Sequence, residues 1–172
     1  MKKTSVGIIL LTEIQSMGGL GAILQIRGEF NHEKMGTESW PGSCQITAHG
    51  RVKTPFSNHY DLQLELTREI LEELGVLPIL RKFELLVHKN DENEEVFTWG
   101  ALIQKEEIDK LRLNAATGGL RLISREKLGA IMNLRDFDKE VGIRDRTITA
   151  MFPDEIEAVK KAFEAFAPQT AP

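Results

Sequence analysis

The chain has 172 residues, 41% of them apolar and 28% charged, with a formal net charge of −4. That is enough for one domain burying roughly two thirds of its unfolded surface. An acidic balance without a basic block or an aromatic-studded basic patch speaks against a nucleic-acid polymer as partner. Cys44, the sole cysteine, rules out an intramolecular disulfide and a Cys-based zinc cluster, so a reducing cytoplasm is the expected location.

Lys2-Lys3 followed by apolar Val6 to Leu11 has the outline of a signal peptide, but the run is short and ends at Thr12-Glu13 without a small-residue cleavage site. Ser5–Glu13 reads instead as a buried first strand, and no stretch is long enough to span a membrane. Gln15 to Gly19 is a turn, and Leu20–Arg27 is the returning strand of a hairpin. Gly19-Leu20-Gly21 lacks the third glycine and the Lys-Ser/Thr of a phosphate loop. Gly28–Ser39 is polar and reads as a loop, and Trp40-Pro41-Gly42 introduces a short β-rich run, Ser43–Ala48. Thr54–Tyr60 is a turn-rich insertion.

A helix from about Asp61 to Leu74 follows, with Asp61 as N-cap or first-turn acid and Gly75 at the C′ position, Pro78 close behind. Strands at Ile79–Val87 and Glu95–Ile103 flank a polar hairpin loop, His88–Glu94. Lys105–Leu113 has helical propensity, Thr117-Gly118-Gly119 is a turn, and Leu120–Ile123 is a further strand. Ser124 suits the N-cap of a helix over Arg125–Met132. Pro153, Asp154 and Glu155 open a last helix, whose Ile156, Val159, Phe163 and Phe166 share one face. Residues 1–166 form the expected single domain, and 167–172 a disordered tail.

The helix from Asp61 to Leu74 carries the chemistry. Leu62, Leu66, Ile70 and Leu74 make one apolar stripe at about 100° per residue, and Leu64 and Leu71 are expected to cover the far side. Glu65, Arg68, Glu69, Glu72 and Glu73 share the remaining ridge. Glu65/Glu69 and Glu69/Glu73 are like charges at i, i+4, each costing a few tenths of a kcal/mol. A protein that keeps such a ridge has a use for it, and carboxylate oxygens are what Mg²⁺, Mn²⁺ or Ca²⁺ prefer.

Arg68-Glu69-Ile70-Leu71-Glu72-Glu73-Leu74-Gly75-Val76 is identical in pattern to the second half of the Nudix box, Arg-Glu-U-x-Glu-Glu-x-Gly-U with U apolar. Trp40-Pro41-Gly42 and Thr47-Ala48-His49-Gly50-Arg51-Val52 resemble the entry segment of one Nudix branch. The first half of the box departs from the pattern: Thr54 and Tyr60 stand where the family has Gly and Glu. If Gly50 is the family glycine, the chain is about four residues longer before the helix, and Asp61 is the carboxylate nearest the missing Glu.

The resemblance implies an α/β/α sandwich with a mixed β-sheet, and a metal-dependent pyrophosphohydrolase. Its substrate would be a small-molecule diphosphate, a nucleoside diphosphate linked to another moiety, with Mg²⁺ or Mn²⁺ as cofactor. It implies that Glu69 and Glu73 are the principal metal ligands and Glu72 a further one, and that Arg68 orients a carboxylate. Gly50 and Gly75 are structural. The general base stays open between Glu69, Glu73 and the later Glu106, Glu107 and Asp109, for which an exposed helix surface is the plainer reading. Arg27 and Arg51 suit phosphate contact and His49 substrate contact, though each also suits an ordinary structural or surface role. Trp99, Phe97 and Cys44 read as core.

Two other readings stand beside this one. A Nudix fold with an incomplete box can be a non-catalytic nucleotide-binding module. The Trp-Pro-Gly branch also includes isopentenyl diphosphate isomerases, but their catalytic cysteine position is Ala48 here and Cys44 lies too early. Exposed strand edges in a small sandwich permit a homodimer.

Overall fold

A computed structural model describes residues 2–14, 19–31, 35–53 and 55–167. In chain order the elements are β1 (Lys3–Ile14), β2 (Gly19–Arg27), β3 (Phe30–Asn31), β4 (Gly36–Thr37), β5 (Cys44–Gln45), β6 (Ala48–Arg51), α1 (His59–Leu74), β7 (Leu80–Asn90), β8 (Glu94–Ile103), α2 (Lys105–Ile108), β9 (Thr117–Ser124), β10 (Met132–Asn133), β11 (Ala150–Met151) and α3 (Pro153–Ala165). Residues 15–18 of the expected first turn, 32–34 of the expected loop, residue 54 of the expected insertion and the tail beyond 167 lie outside the described residues.

The main sheet runs β5-β2-β1-β8-β7, with β6 also on β1 and β9 also on β2. β1 pairs parallel with β8 and antiparallel with β2 and β6, so the sheet is mixed. Alternation along β1 sends Val6, Ile8 and Leu10 to one face and Ile9 and Leu11 to the other. The first set packs with Leu62, Leu66, Ile70 and Leu74 of α1. The second packs with Val159, Ala162, Phe163 and Phe166 around α3. This is the expected α/β/α sandwich. Trp99, Phe97 and Cys44 are all core, at 2%, 3% and 0% exposure, and burial pushes the Cys44 thiol up to about 11.

β1 and β2 stay paired only from Leu10/Ile23 to the hairpin end, then fork. The chain between β5 and β6 fills that fork. Buried Thr47 accepts the Leu10 N–H through Oγ1 at 2.8 Å and donates to the Ile23 carbonyl. One hydroxyl thereby satisfies two main-chain groups that would otherwise be orphaned. β6 then pairs with the start of β1 and is carried directly against α1.

Several local expectations change. The expected strand Ser43–Ala48 is split into β5 and β6 by that fork. Asn58 caps α1, its side chain accepting from the Tyr60 and Asp61 N–H groups at 2.8 and 3.1 Å; Asp61 is a first-turn acid. Leu64 and Leu71 are 53% and 47% exposed rather than covered, because α1 packs on the sheet through one stripe. β7 runs on to Asn90, leaving only a tight turn before β8. β9 takes in the glycines expected as a turn, paired to β2 across a bulge. Arg125–Ala130 is a 3₁₀ turn, and Ser124 makes no capping hydrogen bond.

Candidate active site

The acidic ridge of α1 lies against β6. Glu65 and Glu69 are each only 6% exposed, and buried charges are costly unless paired. Arg68 pairs them. Its Nε and Nη2 donate to Glu65 Oε2 at 3.2 and 3.0 Å, and Nη2 also bonds Glu69 Oε1. Nη1 lies 2.8 Å from Glu72 Oε1, and Nη2 donates to the Arg51 carbonyl at 3.1 Å. Burial works against the Arg68 charge, but hydrogen bonds to Glu72, Glu65 and Glu69 outweigh it and raise its pKa. Burial raises the Glu69 pKa although Arg68 opposes it, whereas the Arg68 hydrogen bond lowers that of exposed Glu72.

The strand contributes from the other side. His49 N–H donates to Glu73 Oε2 and Lys53 N–H to Glu65 Oε2, both at 3.1 Å. Lys53 Nζ is 3.5 Å from Glu72 Oε2. A Cβ on Gly50 would fall 1.9 Å from Glu69 Cδ, so the absent side chain is what lets the carboxylate reach the strand. Gly75 closes α1 with φ +67, its N–H bonded to the Leu71 carbonyl at 3.0 Å.

Four carboxylates on one helix face are the donor chemistry of a hard divalent cation. The residue types are therefore of the kind that suits such an ion. As the side chains stand, among the described residues no three of His, Cys, Asp or Glu converge tightly enough to hold a metal; the Arg68 guanidinium is the group bridging Glu65, Glu69 and Glu72. Tyr60, where the box has its first Glu, is 66% exposed. Asp61 is engaged with the Ser57 N–H and hydroxyl at 2.8 and 2.9 Å and belongs to the start of α1. Glu65 is the carboxylate that holds Arg68 instead. Its only signal in the sequence is its place one helical turn before Arg68 on the ridge.

The other predicted residues divide. Arg27 and His49 come together in a cavity of about 320 Å³ on the α3 side of the sheet. The Trp-Pro-Gly entry fixes Arg27: its N–H donates to the Ser43 carbonyl at 2.8 Å and its carbonyl accepts from Gly42 at 2.9 Å. Trp40 packs edge-on to Phe152, on the cavity wall, with ring centroids 5.9 Å apart. Burial, with Arg27 nearby, lowers the His49 pKa. Arg51 is exposed and meets the ridge through its carbonyl. Glu107 is 4% exposed rather than on a helix surface, holding the Ile79 N–H at 3.1 Å and Lys110, which makes it a loop anchor. Glu106 and Asp109 are exposed. The sequence reading missed Asp154, Glu155 and Arg135 in the same cavity, because acids after Pro153 serve a helix N-terminus equally well.

No protein-family model matches the sequence, and no curated protein sequence matches it. Solved structures do. The NUDIX domain of NrtR from Shewanella oneidensis, complexed with ADP ribose, matches over 97% of this chain and 90% of its own, at 15% identity and a TM-score of 0.59. A mutT/nudix family protein from Listeria innocua matches over 95% and 92%, at 18% identity and 0.60. A C. elegans Ap4A hydrolase matches over 95% and 96%, at 13% identity and 0.54. The chain has the Nudix fold, with the half-box on the helix that faces β6.

Proposed function

We propose that this protein is a Nudix-type hydrolase that cleaves a nucleoside diphosphate linked to another moiety. The observation that carries the reading is the ridge of Glu65, Glu69, Glu72 and Glu73, gathered around Arg68 and braced on His49, Gly50 and Lys53. Glu69, Glu72 and Glu73 are the residues that would hold Mg²⁺ or Mn²⁺. The chemistry such an ion supplies when bound is neutralisation of phosphate charge and acidification of a water. Arg68 opposes the burial penalty on Glu69 and orients the buried carboxylates, and Glu65 fixes Arg68 in turn. Glu73, tied to β6 through the His49 N–H, is held at a set distance from the strand. A carboxylate there, whether Glu69 or Glu73, is the group available to take a proton from attacking water. Two structural neighbours are named for ADP ribose and Ap4A, which supports a nucleoside phosphate as substrate here.

A second reading, a nucleotide-binding module without turnover, is favoured by the guanidinium at the centre of the carboxylates and by exposed Tyr60 in place of the box's first Glu. Incubating the protein and Mg²⁺ with a panel of dinucleotides and nucleotide sugars separates the two. Release of a nucleoside monophosphate is the expected result; saturable binding without product favours the module. Glu73→Gln is expected to abolish turnover and keep the fold, and full activity in that variant would contradict the role given to Glu73.

A further inference from the structure

β7 is an edge of the main sheet: among the described residues it pairs only with β8, and most of its side chains are exposed. A row of main-chain N–H and C=O groups on its outer side is therefore open to another strand. Its register against β8 shifts at Arg81 and again at Leu86, so the regular stretch is Lys82–Leu85, opposite Trp99–Leu102. Side chains alternate along it. Lys82 and Glu84 lie on the α3 face, where the Lys82 ammonium is 2.9 Å from Glu84 Oε1 and donates to the Ala165 carbonyl at 2.8 Å. Phe83 and Leu85 lie on the α1 face, where the Phe83 ring stacks on Trp99. At 36% and 40% exposure they are an apolar pair on an open edge.

The charges decide which strand fits. A two-fold axis normal to the sheet sets β7 antiparallel to β7 of a second copy and keeps like faces together, so the residue on the axis opposes itself. With Phe83 on the axis, Lys82 of each copy stands opposite Glu84 of the other. The two Phe83 rings meet on the α1 face, flanked by Leu85. Opposite charges and aromatic pairs directly across strands stabilise a sheet, and like charges there destabilise it. The other symmetric registers on the regular stretch are worse. Lys82 on the axis sets Lys82 against Lys82, and Glu84 on the axis sets Glu84 against Glu84. Leu85 on the axis carries the pairing across the shift at Leu86 and brings Arg81 toward Lys89.

We infer that β7 is a dimerisation edge whose partner is β7 of a second copy of this chain, with Phe83 on the two-fold axis. The two main sheets then run on as one, with a Lys82–Glu84 pair on each side of the axis. Such a contact uses the same surface of both copies and closes at two. It stands apart from the hydrolase reading, since none of Lys82, Phe83, Glu84 and Leu85 belongs to the α1 ridge or lines the α3-side cavity.

The test is sedimentation velocity of the full chain from about 1 to about 200 µM, a span that suits a small, partly polar interface. The expected result is a shift with concentration from the mass of one chain to that of two. Exchange of main-chain amides over Lys82–Leu85 should slow in step. Lys82→Glu and Glu84→Lys each set like charges across the axis, twice over by symmetry, and should weaken association about tenfold or more. The double variant Lys82→Glu/Glu84→Lys exchanges the charges but keeps them opposite, and should return to within about threefold of wild type. Melting curves check that each variant is folded; both side chains are about half exposed, and either single variant alone suffices for the comparison. A wild type that keeps the mass of one chain throughout overturns the inference. So does a dimer that both single variants leave unchanged, or a double variant that dissociates as readily as the singles, since the contact then lies on another surface or in another register. A species larger than two copies overturns it as well, because this pairing closes.

Discussion

Replacing Arg68 with Met keeps the length of the side chain and removes its charge. Glu65 and Glu69, whose side chains are 8% and 7% exposed, then lose their shared cation. Breaking a buried pair by removing one partner costs about 3–5 kcal/mol. Arg68 is itself 26% exposed and Glu65 keeps the Lys53 N–H, which argues for the lower end, about 3 kcal/mol. Glu72 is 48% exposed and adds less than about 1 kcal/mol. In a chain of this size, that lowers the melting temperature by roughly 6–12 °C. The sign with pH follows from Glu69. Burial already raises its folded pKa, and loss of Arg68 raises it further, so the folded variant binds protons more strongly than the unfolded chain. Such a group's stability deficit grows as pH rises and disappears below the unfolded value near 4.3. Calorimetric melting of wild type and variant at pH 5 and pH 7.5 should therefore show the difference narrowing in acid. A deficit under about 1 kcal/mol, or one that widens in acid, refutes the account of the ridge.

Three further predictions are independent of turnover. Gly50→Ala puts a methyl 1.9 Å from Glu69 Cδ and should cost about 2–4 kcal/mol, read as a lowered denaturation midpoint with m unchanged. Leu64→Gln and Leu71→Gln should each stay within about 0.5 kcal/mol of wild type by the same measurement, since both side chains are about half exposed. Glu155 titrates near 7 in the folded chain against an ordinary value of 4.5, so its ionisation destabilises the fold as pH rises between those values. Glu155→Gln should accordingly gain on wild type between pH 5 and pH 8, by at most about 3 kcal/mol.

The sequence made much of this legible because its strongest signals are local. The α1 stripe, its closing glycine and the half-box lie within one run of 15 residues, Leu62–Val76, and the structure keeps them together. The apolar run of β1 and the Pro153 start of α3 were equally plain. What stayed hidden depends on contacts across the chain. Leu64 and Leu71 are apolar yet exposed, and only the packing of α1 on a single stripe decides that. The split of β5 from β6 follows from the fork between β1 and β2, sealed by the Thr47 hydroxyl. Glu65 looked like one more ridge acid until Arg68 and the Lys53 main chain both turned to it. The cavity joins residues 27, 49, 135 and 155, which no spacing rule connects. The lost first half of the box left Asp61 as the natural substitute, but local turn chemistry with Ser57 claimed it.

The central claim is that the α1 carboxylates support hydrolysis, and a matched pair of assays tests it most directly. Nucleoside monophosphate release from nucleoside diphosphate-linked substrates is measured with and without Mg²⁺, for wild type and for Glu73→Gln. Release by the wild type with Mg²⁺, lost in the variant while its melting curve stays close to wild type, is the predicted result. Wild-type protein that binds these substrates but releases nothing, or a Glu73→Gln protein as active as wild type, contradicts the account.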